Sequence, residues 1–201
     1  MPVQSAVGAG SNYEMVSANI AYDATAIYRG DPVMMMNTGY IEQWDAGTAA
    51  RLLFGVFWGC WFLSSQQGKL VPSSFWPGSG AVASTAQESI YATIIPIKGA
   101  GQPLFRVQSD ATGVVRADIG LNVEITPGTG SALDGSSGAY ASGIADTNTL
   151  PFQIVGLYGG SQGAGGVMGI TPSDTNPYGG SATGAYAQMI VRANTIAAQG
   201  I

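Results

Sequence analysis

Residues 52–63 read Leu-Leu-Phe-Gly-Val-Phe-Trp-Gly-Cys-Trp-Phe-Leu, an apolar run that neither a charge nor a proline interrupts. Its aromatic residues favour strand, and Gly55 and Gly59 would weaken a helix interior, so the run predicts one long buried β-strand. Strict alternation sets Leu52, Phe54, Val56, Trp58, Cys60 and Phe62 on one face, and Leu53, Gly55, Phe57, Gly59, Trp61 and Leu63 on the other. Burying one such large side chain is worth roughly 1.5–3 kcal/mol, so a fold that leaves either face in water forfeits much of its stability. Both faces therefore need cover. The face that carries the two glycines suits close approach by another sheet or by a neighbouring subunit. The twelve residues are too few to cross a bilayer as a helix, which takes about 20.

At 201 residues and 46% hydrophobic content the chain can bury a sizeable core, and one all-β domain is expected. Only 9% of its residues are charged, against about 25% in ordinary soluble domains. The surface then falls to Ser, Thr, Asn, Gln and backbone, a balance suited to a chain packed in an assembly. A net charge of −5 and seven scattered Lys and Arg residues offer no basic stripe, which argues against a nucleic-acid partner. His is absent, so Ser-His-Asp, Cys-His and His-based zinc constellations are excluded. The lone Cys60 builds neither a disulfide framework nor a thiolate cage and reads as a small buried hydrophobe. No cofactor, metal site or catalytic set is expected. The first residues, Met-Pro-Val-Gln-Ser-Ala, have neither a basic nor an apolar segment of the signal-peptide kind, so the expected location is the cytoplasm or a particle built there, with no membrane partner.

Residues 1–24 carry Tyr13, Met15, Val16, Ile20 and Tyr22 without a sustained period. They read either as an arm that orders along a partner or as a frayed end followed by a first edge strand. Residues 25–201 read as a single β-rich domain. Residues 26–44 predict a meander, with Gly30-Asp31-Pro32 and Asn37-Thr38-Gly39 as turns. Arg29-Gly30-Asp31 matches an integrin-ligand tripeptide, but three residues carry little information and Pro32 favours the turn. Residues 64–69 predict a hairpin turn after the core strand. Phe75 and Trp76, between Pro72 and Pro77, read either as an interfacial anchor or as a loop folded back on its own core. Further strands are expected over 89–96, 103–108, 119–125, 150–158 and 185–195. In the third of these, alternation places Ile119, Leu121, Val123 and Ile125 on one face. Residues 126–149, with Leu133, Tyr140 and Ile144 as apolar anchors, and residues 159–184 read as long Gly/Ser-rich excursions. A loop of that length in a compact domain is usually functional. The glycine spacings within them lack the strand-to-helix setting of a phosphate loop.

The order of several short motifs resembles tailed-bacteriophage capsid decoration, or cement, proteins. Those motifs are Ile27-Tyr28-Arg29-Gly30-Asp31-Pro32-Val33, Gly39-Tyr40-Ile41, Gly55-Val56-Phe57-Trp58-Gly59, Phe75-Trp76-Pro77 and Phe105-Arg106-Val107-Gln108-Ser109-Asp110. The likeness continues through Asp118-Ile119-Gly120, Leu157 and the final strand, and so spans roughly residues 25–195. Arg29 stands where the family has Lys, and Arg106 where it has Glu, changes that alter charged contacts with partners.

The resemblance implies an antiparallel β-sandwich or β-barrel, with a jelly roll as one possible form, and permits a short hairpin within residues 126–149. It also implies a homo-oligomer, commonly a trimer, on the outer surface of a phage capsid. There the chain would bridge neighbouring major capsid proteins in the virion, with Tyr13, Met15, Phe75, Trp76 and Tyr140 as expected contact anchors. Two other classes compete. One is a tail, baseplate or spike protein that binds a host glycan through Trp76 and Tyr178. The other, the weakest, is a carbohydrate-active enzyme with paired carboxylates in a barrel.

Overall fold

A computed structural model describes residues 2–3, 14–45, 52–83, 89–97, 103–158 and 186–194, and within these the side chains of Pro2, Val3 and Leu52 are left aside. Fourteen strands are present among the described residues. In chain order they are β1 (Pro2–Val3), β2 (Val16–Asn19), β3 (Ile27–Tyr28), β4 (Pro32–Met35), β5 (Ile41–Gln43), β6 (Leu52–Leu63) and β7 (Leu70–Ser73). They continue with β8 (Phe75–Trp76), β9 (Tyr91–Pro96), β10 (Leu104–Ser109), β11 (Asn122–Thr126), β12 (Tyr140–Ala145), β13 (Phe152–Tyr158) and β14 (Gln188–Ala193).

The apolar run is one strand, β6, and at this length it serves several partners. Along one edge it pairs with β9; along the other it pairs first with β4 and then, past Val56, with β7. The resulting sheet runs β2-β9-β6-β4-β5, with β7 beside the far end of β6. It curls until Ile20, just past β2, makes a single parallel bridge to Ile41 at the start of β5. Inside the curl lies a core of Ile27, Ile41, Phe57, Phe62, Trp76 and Ile94 with smaller neighbours. The short two-stranded sheet β3–β8 supplies Ile27 and Trp76 to that core.

The second unit is a closed barrel. Strands β10, β12, β11, β13 and β14 follow one another around it, and a β10–β14 ladder completes the ring. All its neighbours are antiparallel except β10 and β12, which run parallel. Phe105, Val123, Ile125, Phe152, Ile154 and Met189 fill its core, with the Phe105 and Phe152 rings edge to face at 6.2 Å. The fold is thus mostly β, with one small closed five-stranded barrel and antiparallel sheets.

Strict alternation fails in β6, and the failure is informative. Phe54, Phe57, Cys60 and Phe62 face the core inside the curl, whereas Leu53, Val56 and Trp58 belong to the barrel-side core. Two bulges cause this. Pairing with β4 steps from Gly55 to Leu53 and skips Phe54; pairing with β9 steps from Phe57 to Gly59 and skips Trp58. Each extra residue turns the remainder of the strand over. The glycines serve neighbours in the same sheet, not a second layer. A Cβ on Gly55 would lie 2.4 Å from Ile94 Cγ2 and 2.5 Å from the Ile95 carbonyl oxygen, and one on Gly59 would lie 2.9 Å from the Ser73 carbonyl oxygen.

Other expectations divide. Residues 16–19 are an edge strand on β9, and Pro2–Val3 pair with β10, so these parts of the expected arm belong to the chain's own sheets. Residues 126–149 are not one excursion: β12 occupies the middle of the segment as a barrel strand. Ile119 lies 42% exposed, because a 3-10 turn at Arg116–Asp118 and the positive φ of Gly120 interrupt alternation before β11 begins. Residues 159–184 lie outside the described residues.

Candidate interaction surface

Asp31, from the tripeptide that resembles an integrin ligand, is fully buried. Its Oδ2 accepts hydrogen bonds from the Tyr28 N–H at 2.8 Å and from Gln43 Nε2 at 2.7 Å, and its Oδ1 accepts from the Ser137 hydroxyl. Burial pushes its carboxyl above the ordinary value, against the pull of these three donors. Gly30, at φ 105°, makes the turn possible. The carboxylate faces the protein, so the tripeptide is a turn, as Pro32 suggested.

Ser137 belongs to residues 127–139, which leave the barrel after β11 and lie as a strap on the β3–β8 sheet. The Arg29 N–H donates to the Gly135 carbonyl at 2.8 Å, and the Ser137 N–H returns the bond to the Arg29 carbonyl at 3.0 Å. Asp134 holds the bend: it accepts from the Ser136 N–H and hydroxyl, which draws its carboxyl down to about 2. Gly130 lies against the Tyr28 ring, where any Cβ would come within 2.2 Å of ring carbons. The glycine content of this stretch therefore serves close packing on the chain itself, where the sequence suggested a reach toward a neighbour. Leu133 is the large apolar side chain that the strap exposes, at 98%.

Three of the motifs that carry the resemblance, residues 27–33, 55–59 and 75–77, meet around this point. The Tyr28 and Phe75 rings stack with centroids 5.5 Å apart, and the Arg29 guanidinium sits 4.2 Å from the centroid of Trp58. Trp76 is fully buried, and its indole N–H donates to the Ala24 carbonyl at 3.1 Å. This corrects the expectation that Trp76 is a contact anchor: it is a core residue of the curled sheet, because the Phe75-Trp76 pair is a strand on β3. Phe75 is half-buried in its stack on Tyr28. Met15, just before β2, is exposed, and Tyr140, at the start of β12, is 37% exposed. These residues belong to three different sheets and do not form one surface. Tyr13 lies outside the described residues.

A different surface emerges from the bulges of β6. The outward face of the curled sheet is covered by the barrel at one end, where Leu53, Val56, Ile95 and Ile97 pack into the barrel core. At the other end the same face is open and carries Trp61 and Leu63 from β6, Tyr91 and Thr93 from β9, and Leu70 and Pro72 from β7. The register sets Trp61 between Tyr91 and Pro72, and Leu63 opposite Leu70. Trp61 is 38% exposed and Leu70 is 44% exposed, and the Trp61 and Tyr91 rings lie nearly parallel with centroids 6.4 Å apart. Val16 and Ala18 point into the curl, so Ser17 and Asn19 extend this face beyond β9. None of these eight positions is charged. Large apolar side chains gathered on an uncharged sheet face make this the candidate interaction surface.

The sequence pattern places Trp61 on the second face of the core strand, the face suited to another sheet or a neighbouring subunit, while the expected anchors are other residues. Two signals lay in the sequence, the uncharged Trp61 and Leu63 and the apolar Leu70 and Pro72 across the hairpin. Their exposure depends on how much of the face the barrel covers, which no local pattern encodes. Cys60, under this surface, is 2% exposed, and burial pushes its thiol up to about 12. Among the described residues no helix is long and apolar enough to cross a membrane. Comparison with protein-family models, with curated proteins and with solved structures finds no match to this chain.

Proposed function

We propose that this chain is a capsid decoration protein of a tailed bacteriophage, a structural virion component without catalysis. It binds the outer surface of the shell as a homo-oligomer and stabilises the shell by bridging neighbouring major capsid proteins. The observation that carries the reading is the open, uncharged half-face around Trp61, Tyr91, Leu63 and Leu70. It is an apolar area held flat by a strand whose other end is locked into the barrel. Such a face docks with little loss of conformational freedom, because its side chains are already ordered by the sheet. Repetition around a symmetry axis then multiplies a modest contact into avidity. The motif resemblance supports the same reading.

The glycan-binding alternative rested on Trp76 and Tyr178. Trp76 is inside the core and Tyr178 lies outside the described residues, so no observation favours it.

The test is the copy number of this chain in purified particles, by quantitative mass spectrometry. A ratio near one per major shell protein is expected, and shells lacking the chain should rupture at lower temperature. A few copies per particle, or none, overturns the proposal.

A further inference from the structure

The barrel closes unevenly. On one side of β10, five residue pairs join Leu104–Gln108 to β14. On the other side only two pairs, Gln108 with Tyr140 and Ser109 with Ala141, join it to β12. The same edge of β10, nearer its start, is taken by Pro2 opposite Phe105 and Val3 opposite Leu104. The seam between β10 and β12 is thus a length of strand edge whose partner comes from a remote part of the chain. An unpaired edge is a template for any extended segment that can reach it.

Among the described residues, β1 meets β10 through these two pairs. The next strand, β2, is the edge of the other sheet, and twelve residues separate Val3 from Val16. A connection of that length spans up to roughly 40 Å when extended. Pro2 suits the position, since a residue without an N–H is tolerated on an added edge strand. Exchanging identical strands between copies keeps every pairing and adds a link between them.

We infer that the β10 edge is a strand-acceptor site whose occupant, in the oligomer, is the Pro2–Val3 strand of a second copy of this chain. A second copy is the occupant because the pairing that fits the seam is already written in the chain's own β1. Holding copies side by side raises the effective concentration of the neighbour's strand and drives the exchange. The inference needs no capsid: exchange in purified protein stands even if the chain proves absent from particles, and a decoration protein without exchange leaves the proposal above intact.

The test mixes two full-length variants, Val3→Cys and Leu104→Cys, under mild oxidation after equilibration at high concentration. Opposed residues of an antiparallel pair are close enough to link. Leu104 is half-buried at the edge and Cys60 is buried, so neither the core nor the native thiol interferes. The expected result is a mixed disulfide dimer, mapped to positions 3 and 104 by peptide mass and not formed when the oxidation is carried out in denaturant. The inference is overturned if the mixture gives no such dimer. A mixture of isotope-labelled and unlabelled native chains gives an independent reading. A nuclear Overhauser contact between Val3 of one copy and Leu104 of another supports exchange, and a contact confined to single copies refutes it.

Discussion

In the barrel, most large apolar residues keep to one side, with Val155 of β13 (37% exposed) and Ile190 of β14 as departures. Phe105, Val123, Ile154 and Met189 point inward, while the outward positions include Arg106, Gln153 and Arg192, with the Arg192 guanidinium donating to Gln153 Oε1 at 2.6 Å. Closure buries most of this apolar surface and leaves Tyr140 and Val155, on different strands, each 37% exposed. The curled sheet differs: β6 and β9 are apolar on both faces, so curling buries one face and the other needs a second cover. The barrel covers half of it. A strand apolar on one face folds into a self-sufficient unit, whereas a strand apolar on both faces requires a partner, and where the intramolecular partner runs out a surface remains for an external one.

The largest expected effect separates the two faces of the curled sheet directly. Trp76→Ala empties a fully buried site and should lower stability by about 3–5 kcal/mol in denaturant unfolding. Trp61→Ala, on the open half-face, should cost under about 1 kcal/mol while weakening attachment to particles. Equal losses in both would mean the open half-face is structural.

Next comes the junction of the two units. Asp31→Ala leaves the Tyr28 N–H, Gln43 and Ser137 without their shared acceptor and should cost about 2–4 kcal/mol. The pH profile sharpens this. Burial holds Asp31 above the ordinary carboxylate value of 3.8, so the folded chain keeps a proton that the unfolded chain has released. The stability linked to this group is fully present below pH 3.8 and is lost as pH rises through the raised value, and Asp31→Asn should remove that slope. Asp134 behaves in the opposite sense. Its carboxyl is drawn down to about 2, so its contribution is present above 3.8 and lost as pH falls toward 2. Unfolding curves of the two Asn variants between pH 2 and 6, read against the parent chain, should deviate in opposite directions.

Gly55→Ala tests the packing inside the curled sheet. The added Cβ meets the backbone of β9, and a loss of about 1–3 kcal/mol is expected. Ala at Gly143 of the barrel meets no atom within 4 Å and is strained only by its φ of 60°, so it should cost less. The smallest effect concerns Cys60. With its thiol at about 12 and buried, it should not react with a thiol reagent at pH 7 until the curled sheet opens. Labelling at a rate matching global unfolding fits this, and prompt labelling would mean the sheet opens on its own.

Much of this fold is legible in the order of residues. Leu52–Leu63 is a strand over the full length of the apolar run, Asn37-Thr38-Gly39 is the β4–β5 turn, and Val123 and Ile125 alternate into the barrel. These features rest on local chemistry: β-forming side chains, turn residues and a period of two. The candidate surface is less legible. Trp76 and Trp61 are both Trp flanked by aromatic residues in strands, and nothing within a few residues of either tells that one is buried and the other open.

The sequence by itself determined that the chain is β-rich, that one strand needs cover on both faces, that His-dependent chemistry is absent, and that charge is sparse. Only the tertiary structure decided which residues that strand gives to which core. The two bulges in β6 arise from its pairing with β4 and β9, partners distant in sequence, and each bulge reverses the faces that follow. It likewise decided that Asp31 meets Ser137 across 106 positions, and that the barrel stops short of Trp61. Periodicity is local and exposure is not: a side chain is buried by whatever the rest of the chain places over it.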